Sequence, residues 1–183
     1  MTDFKIKIKS KKVYEPEKLD GPIYEDKEGS KFLIISSEAH EEIKQALEWG
    51  KYTEKNCVEQ GGILLGRAAV FNDKIYCFVK KILLADTQGS PCFLEFTMDM
   101  WRDMHERLDV LNENLDDENK LIILGWFHTH PGGLAVFMSG VDMNTQRLNF
   151  SLDWQASLVM NPHKNKLRVF FGMNADEGII IFE

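Results

Sequence analysis

Residues 125–142 read GWFHTHPGGLAVFMSGVD, and this run sets the order of chemistry in the chain: two histidines one residue apart, a serine, then a carboxylate three positions on. Upstream, Leu121, Ile122, Ile123 and Leu124 form an apolar run that predicts a buried strand, which Trp126 and Phe127 continue with residues of high β preference. Strand side chains repeat every two residues, about 6.5 Å of rise, so His128 and His130 leave the same face. Two imidazoles can then meet on one ion. Pro131, Gly132 and Gly133 end the strand, because proline cannot donate to a ladder and paired glycines favour a turn. A helix is expected to begin near Ser139, where an i, i+3 spacing of about 5–6 Å puts Asp142 on the serine's face. Two histidines and one carboxylate make the ligand set of a zinc hydrolase, with the fourth position left for water.

Each half of this pattern also has an ordinary explanation. Taken alone, Ser139-x-x-Asp142 reads as a helix-capping pair before it reads as a catalytic one, since it satisfies free N–H groups of the first turn. A lone His-x-His on a strand is often only surface polarity. Joined at this spacing, both explanations weaken. A further acid stands upstream in Glu59-Gln60-Gly61-Gly62-Ile63-Leu64-Leu65-Gly66, ahead of an apolar strand whose glycines let another backbone or a substrate approach closely. Glu59 is the candidate to reach the water of the site.

With these residues in hand, the chain resembles the JAMM, or MPN-plus, metallo-isopeptidases, which remove ubiquitin and ubiquitin-like proteins from their conjugates. The family pattern is a Glu before a glycine-containing strand, His-x-His-Pro, then Ser-x-x-Asp, matched here by Glu59, His128, His130, Pro131, Ser139 and Asp142. The run Ser139 to Gln146 is similar to that of the proteasome-lid members, and Met160-Asn161-Pro162 to the family's strand ending in Asx-Pro. The resemblance covers Phe32 to the C-terminus. It departs from the pattern in one place, where 8 residues separate His130 from Ser139. That is one more than the family uses, and it predicts a bulge in the loop from Gly132 to Met138.

The resemblance implies Zn2+ held by His128, His130 and Asp142, with Glu59 as the acid–base residue and Ser139 donating to the oxyanion of the tetrahedral intermediate. It implies the MPN/JAB type of mixed α/β fold, a mostly antiparallel sheet flanked by helices with the metal at the sheet edge. It also implies a ubiquitin or ubiquitin-like partner, further partner subunits, and a groove receiving the partner's extended tail as an added strand. By position that groove corresponds to Ala85, Asp86, Thr87, Gln88, Gly89 and Ser90, although Gly89, Ser90 and Pro91 are equally what any surface loop contains.

The chain has 183 residues, 44% hydrophobic and 28% charged, as expected for one globular domain with a substantial core. A net charge of −7 speaks against nucleic acid or an anionic membrane as partner. Lys5, Lys7 and Lys9 alternate with Phe4, Ile6 and Ile8, which predicts an amphipathic edge strand rather than a basic recognition patch. Cys57, Cys77 and Cys92 show no CxxC spacing, and no signal sequence precedes them, so free thiols and a cytoplasmic location are expected. No apolar run approaches the roughly 18 residues needed to span a bilayer.

Residues 1–30 read as a strand with an irregular extension, and 31–183 as the catalytic-type domain. Within it, strands are expected at Phe32–Ile35, Gly62–Val70, Lys74–Leu84, Gln155–Met160, Leu167–Phe171 and Gly178–Phe182, with Asn72-Asp73 as a hairpin turn. Helices are expected after Ser36 or Ser37, closing near Gly50, and after Thr97, where Met98, Trp101, Met104, Leu108 and Leu111 recur at helical spacing. Residues 112–119 form a polar connection. His40, His105 and His163 read as surface groups without chemistry.

Three classes of function follow. The first is a zinc isopeptidase that deconjugates or processes a ubiquitin-like protein, in a bacterial conjugation pathway if the compact length is a guide. The second is a catalytically silent scaffold, against which the intact motif argues. The third is a mononuclear iron oxygenase, since two histidines and one carboxylate also describe that facial triad.

Overall fold

The computed structural model describes residues 31–71, 73–85 and 97–183. The expected N-terminal strand, Asn72 of the hairpin turn, Asp86 to Ser90 of the expected groove, and Cys92 lie outside the described residues.

Among the described residues the core is one eight-stranded mixed sheet with three α-helices. In chain order the elements are β1 (Lys31–Ile35), α1 (Ser37–Ala46), β2 (Gly61–Phe71), β3 (Lys74–Leu84), α2 (Met98–Asn112), β4 (Ile122–Thr129), α3 (Gly140–Asn149), β5 (Ala156–Asn161), β6 (Lys166–Phe171), β7 (Asp176–Glu177) and β8 (Ile179–Phe182). The strand order is β7-β6-β5-β4-β2-β3-β1-β8. Pairing is antiparallel for β2 with β3 and β4, and for β6 with β5 and β7; β1 runs parallel to β3 and β8, and β4 to β5. The two end strands, β7 and β8, are separated in the chain by Gly178 alone, so the sheet curls until its ends meet. Gly178 N–H donates to Val169 O at 2.9 Å, and Lys31 Nζ reaches Asp176 at 3.0 Å across the join. A Cβ on Gly178 would stand 2.7 Å from Lys31 O and 2.5 Å from the Phe171 ring, so no larger residue fits the junction. β7 had no counterpart in the sequence reading, because two exposed acidic residues carry no strand signal.

Strand alternation sorts the core into two sides. Leu64, Phe127, Leu158 and Phe171 pack with Ile43 and Leu47 on the side of α1. Ile63, Leu65 and Trp126 face the other way, against Met104 and Leu108 of α2 and Phe150 at the end of α3. Fully burying an aliphatic or aromatic side chain of this kind contributes about 1.5–3 kcal/mol.

The caps lie where expected. Ser36 Oγ accepts from Ala39 N and Thr97 Oγ1 from Met100 N, each satisfying a donor that the first turn leaves free. α1 ends earlier than expected, at Ala46, and Gly50, with φ +78°, closes the turn that follows. The glycine signal at Gly62 is also explained: a Cβ there would lie 2.0 Å from Leu83 O. The close approach is made by the backbone of β3.

Candidate metal centre

The described residues bring His128, His130 and Asp142 together as one buried group able to hold a metal ion. His128 Nε2 lies 3.1 Å from His130 Nε2 and 3.2 Å from Asp142 Oδ1, and His130 Nε2 lies 3.6 Å from Asp142 Oδ2. β4 runs on through His128 to Thr129, and His130 N–H donates to Met160 O at 2.7 Å. The two imidazoles therefore share a face, as strand alternation requires.

Asp142 arrives from α3. Ser139 is the N-cap: its Oγ accepts from Asp142 N at 3.2 Å, and Asp142 Oδ2 accepts from Ser139 N at 2.7 Å. This is a reciprocal capping box. The capping reading of Ser-x-x-Asp is thus met through Oδ2, and the cap leaves Oδ1 facing His128 at 3.2 Å.

Glu59 reaches the site through sheet register. β2 pairs antiparallel with β4, Gly61 opposite His128, and the ladder continues as Thr129 N–H donates to Gln60 O at 2.8 Å while Gln60 N–H donates to Thr129 Oγ1 at 2.9 Å. One step further along this register sets Glu59 beside His130. Burial raises the Glu59 carboxyl above its ordinary range, His130 working against that and Asp142 with it. A carboxyl shifted in this direction takes up a proton more readily than an ordinary one.

The two histidines are tuned apart. Burial lowers His128. Burial also works to lower His130, but Asp142, the Ala135 carbonyl and Glu59 outweigh it and raise this ring. For Asp142, burial works upward and is overcome by hydrogen bonds from His128 and His130, so its carboxyl sits well below the usual range. His130 Nδ1 stands 2.6 Å from Ala135 O. A carbonyl only accepts, so Nδ1 carries a proton, and Nε2 is the ring nitrogen that faces His128 and Asp142. Nitrogen lone pairs and a carboxylate aimed at one point are the donor set that a divalent cation requires, and Zn2+ fits it.

The loop between His130 and Ser139, with its additional residue, is held from beneath. Five successive carbonyls are each met by a side chain: Gly132 and Leu134 by Asn161 Nδ2, Gly133 by Lys164, Ala135 by His130, and Val136 by Arg168. Asn161 Oδ1 in turn accepts from His163 N and Lys164 N. The reading of His163 as an inert surface group needs correcting. Its Nδ1 accepts from Gly132 N at 2.7 Å, its Nε2 stands 2.9 Å from Asn56 Oδ1, and its ring stacks on Tyr52 at 3.9 Å. It joins the segment leading to Glu59 to the loop leaving His130. Asn161 was visible in the sequence only as part of an Asx-Pro strand end, and His163 had no local signal at all. Of the expected groove, Ala85 is described: its N–H donates to Gly61 O at 2.8 Å, which fastens the exit of β3 close to Glu59.

Among known proteins, the chain is similar to COP9 signalosome complex subunit 5 of Candida glabrata, 33% identical over 118 residues, which are 62% of this chain and 24% of that protein. It is similar also to COP9 signalosome complex subunit 5 of Kluyveromyces lactis, 30% identical over 109 residues, 59% of this chain and 26% of that protein. The matches thus span about a quarter of each relative's length. No helix among the described residues is long and apolar enough to cross a membrane. The family model for the JAB1/Mov34/MPN/PAD-1 ubiquitin proteases matches residues 30–153, through β1, β2, the paired histidines and α3, and the chain belongs to that family.

Proposed function

We propose that the protein is a zinc-dependent isopeptidase that cleaves after the C-terminal tail of a ubiquitin or ubiquitin-like protein, acting in the cytoplasm, with residues 31–183 as its catalytic domain. The observation that carries this reading is the convergence of His128, His130 and Asp142 beside Glu59. His128 Nε2, His130 Nε2 and the Asp142 carboxylate would hold the ion. When bound, zinc supplies Lewis acidity toward the scissile carbonyl and lowers the pKa of water toward neutrality.

The chain's own groups do the rest. Glu59 takes a proton from the attacking water and returns it to the departing amine, a task suited to a carboxyl that burial has raised. Ser139 Oγ accepts from Asp142 N, and since a hydroxyl accepts and donates at once, its proton remains available for the developing oxyanion. Loss of such a donor costs about 2.7–4 kcal/mol of transition-state stabilisation. The part-buried hydrogen bonds around Asp142 and His130 hold that carboxylate and that ring in one orientation. Ala85 and the residues following it to Ser90 receive the substrate tail in this proposal, and further subunits are its expected partners.

The test is incubation of Zn2+-loaded protein with a panel of ubiquitin and ubiquitin-like fusions and isopeptide conjugates, beside a chelator-treated control. Cleavage at the modifier's C-terminal carbonyl, lost with chelator and regained with Zn2+, supports the assignment. Cleavage that persists after the metal is stripped refutes it, as does metal-loaded protein inert toward every fusion and conjugate.

A further inference from the structure

Gln146 takes no part in the chemistry proposed above, yet it is fully buried and wholly engaged. Its Oε1 accepts from Trp126 Nε1 at 2.7 Å. Its Nε2 faces the carbonyls of Phe150, Gln155 and Gly172 at 2.8, 3.1 and 3.3 Å. Trp126 in turn lies flat against His128, ring centroids 4.5 Å apart and 12° from parallel. On α3, Gln146 stands one turn beyond Asp142, and these are the buried residues of that helix. An i, i+4 pair shares one helix face.

These contacts form a single mechanical path. His128 belongs to a strand and the aspartate to a helix, and a helix cannot enter the ladder that fixes strand spacing. Their separation has to be set by side chains. His128 rests on Trp126, Trp126 is bonded to Gln146, and Gln146 is joined to Asp142 through one turn of α3. Nε2, donating toward these three carbonyls, holds the far end of α3 to the loop before β5 and to the turn after β6, so the amide cannot drift along the indole.

We infer that Gln146 is a positioning residue: through Trp126 Nε1 it fixes the spacing between His128 of β4 and Asp142 of α3, and with it the affinity of the three-donor site for a divalent cation. This rests on the reading of those three residues as metal ligands.

The test is Zn2+ affinity, measured by competition with a chromogenic chelator, for the full chain and for Gln146→Met, Trp126→Phe, the double variant and Ile43→Ala. Gln146→Met keeps the length of the side chain, and Trp126→Phe keeps a ring against His128; each removes the indole-to-amide bond. Each single change is expected to weaken Zn2+ binding about 10–100-fold, the range for lost outer-shell partners of metal ligands. Because both break one link, the double variant should fall within about threefold of the weaker single. Ile43→Ala removes core packing on the opposite side of the sheet and should lower thermal stability while leaving Zn2+ affinity within about twofold. Visible absorption of the Co2+-loaded protein should change in the two single variants and stay unchanged in Ile43→Ala.

Single variants that bind Zn2+ as wild type does would overturn the inference, as would single effects that multiply in the double variant. Should Gln146→Met fail to fold, Trp126→Phe decides alone by the same criterion. Wild type that binds no Zn2+ would instead sink the underlying assignment of the ligands, a different and recognisable result.

Discussion

Replacing Asn161 by leucine tests whether the loop between His130 and Ser139 is held by the side chains beneath it. Asn161 is fully buried at the end of β5, and leucine fills a similar volume, so the change removes polar contacts without opening a cavity. Four hydrogen bonds disappear: two to Gly132 O and Leu134 O, and two from His163 N and Lys164 N. A net contribution of roughly 0.5–1.5 kcal/mol per bond brackets the loss at about 2–6 kcal/mol. The lower half of that range applies, because the loop is partly exposed and water can replace some partners. A loss of about 3 kcal/mol corresponds to a fall in Tm of roughly 6–12 °C for a chain of this size. The same loop carries Ala135 O, which orients His130, so Zn2+ affinity should fall as well. Differential scanning calorimetry and chelator competition read the two effects. A Tm within about 2 °C of wild type, with unchanged Zn2+ affinity, would show that the loop holds its shape without Asn161 and refute the reasoning.

Glu59→Gln should retain Zn2+ and lose turnover by about 10²–10⁴-fold, the usual weight of general acid–base catalysis, whereas His128→Ala should lose both; metal content measured beside cleavage rate separates them, and full activity in Glu59→Gln removes Glu59 as the base. Only the carboxylate form of Glu59 accepts a proton, and burial raises this group, so kcat/KM should fall on acidification at a higher pH than the ordinary value of about 4.3 would give. A rate profile following an unshifted carboxylate would contradict that. Cys57 is exposed and Cys77 buried, with burial pushing the Cys77 thiol up to about 12; a thiol reagent at neutral pH should modify Cys57 promptly and Cys77 only after unfolding, as peptide mass mapping would show.

What the sequence disclosed and what it withheld divide along physical lines. His128, His130, Ser139 and Asp142 fall within one strand, loop and helix, where periodicity and capping rules act over a few residues. The caps at Ser36 and Thr97 were legible for the same reason. Glu59 could be suspected from its glycine strand, but its place beside His130 is set by the β2 to β4 register, a long-range property that no local pattern encodes. His163 is a stronger case: its contacts with Gly132 and Asn56 lie 31 and 107 positions away in the chain. Closure of the sheet through Gly178 depends likewise on pairing between β1 and the last strand. Composition weighed against nucleic acid and anionic membranes as partners, but it could not select a modifier, because the segment expected to receive the tail carries only the residues of any loop.

One arrangement has a bearing on how this corner tolerates change. Polar groups placed for reactivity commonly strain the surrounding protein, so that trimming them yields a sturdier molecule with less activity. At Asp142 that exchange is closed, because the oxygen turned to Ser139 begins the helix while its twin faces His128. Substituting either member of the box therefore weakens the architecture along with the chemistry. A kindred chain without the proposed hydrolysis would still need Ser139 and Asp142 to start α3. Persistence of those two letters in a kindred sequence thus reports a well-begun helix, and the histidine pair with Glu59 is the sharper sign of a working enzyme.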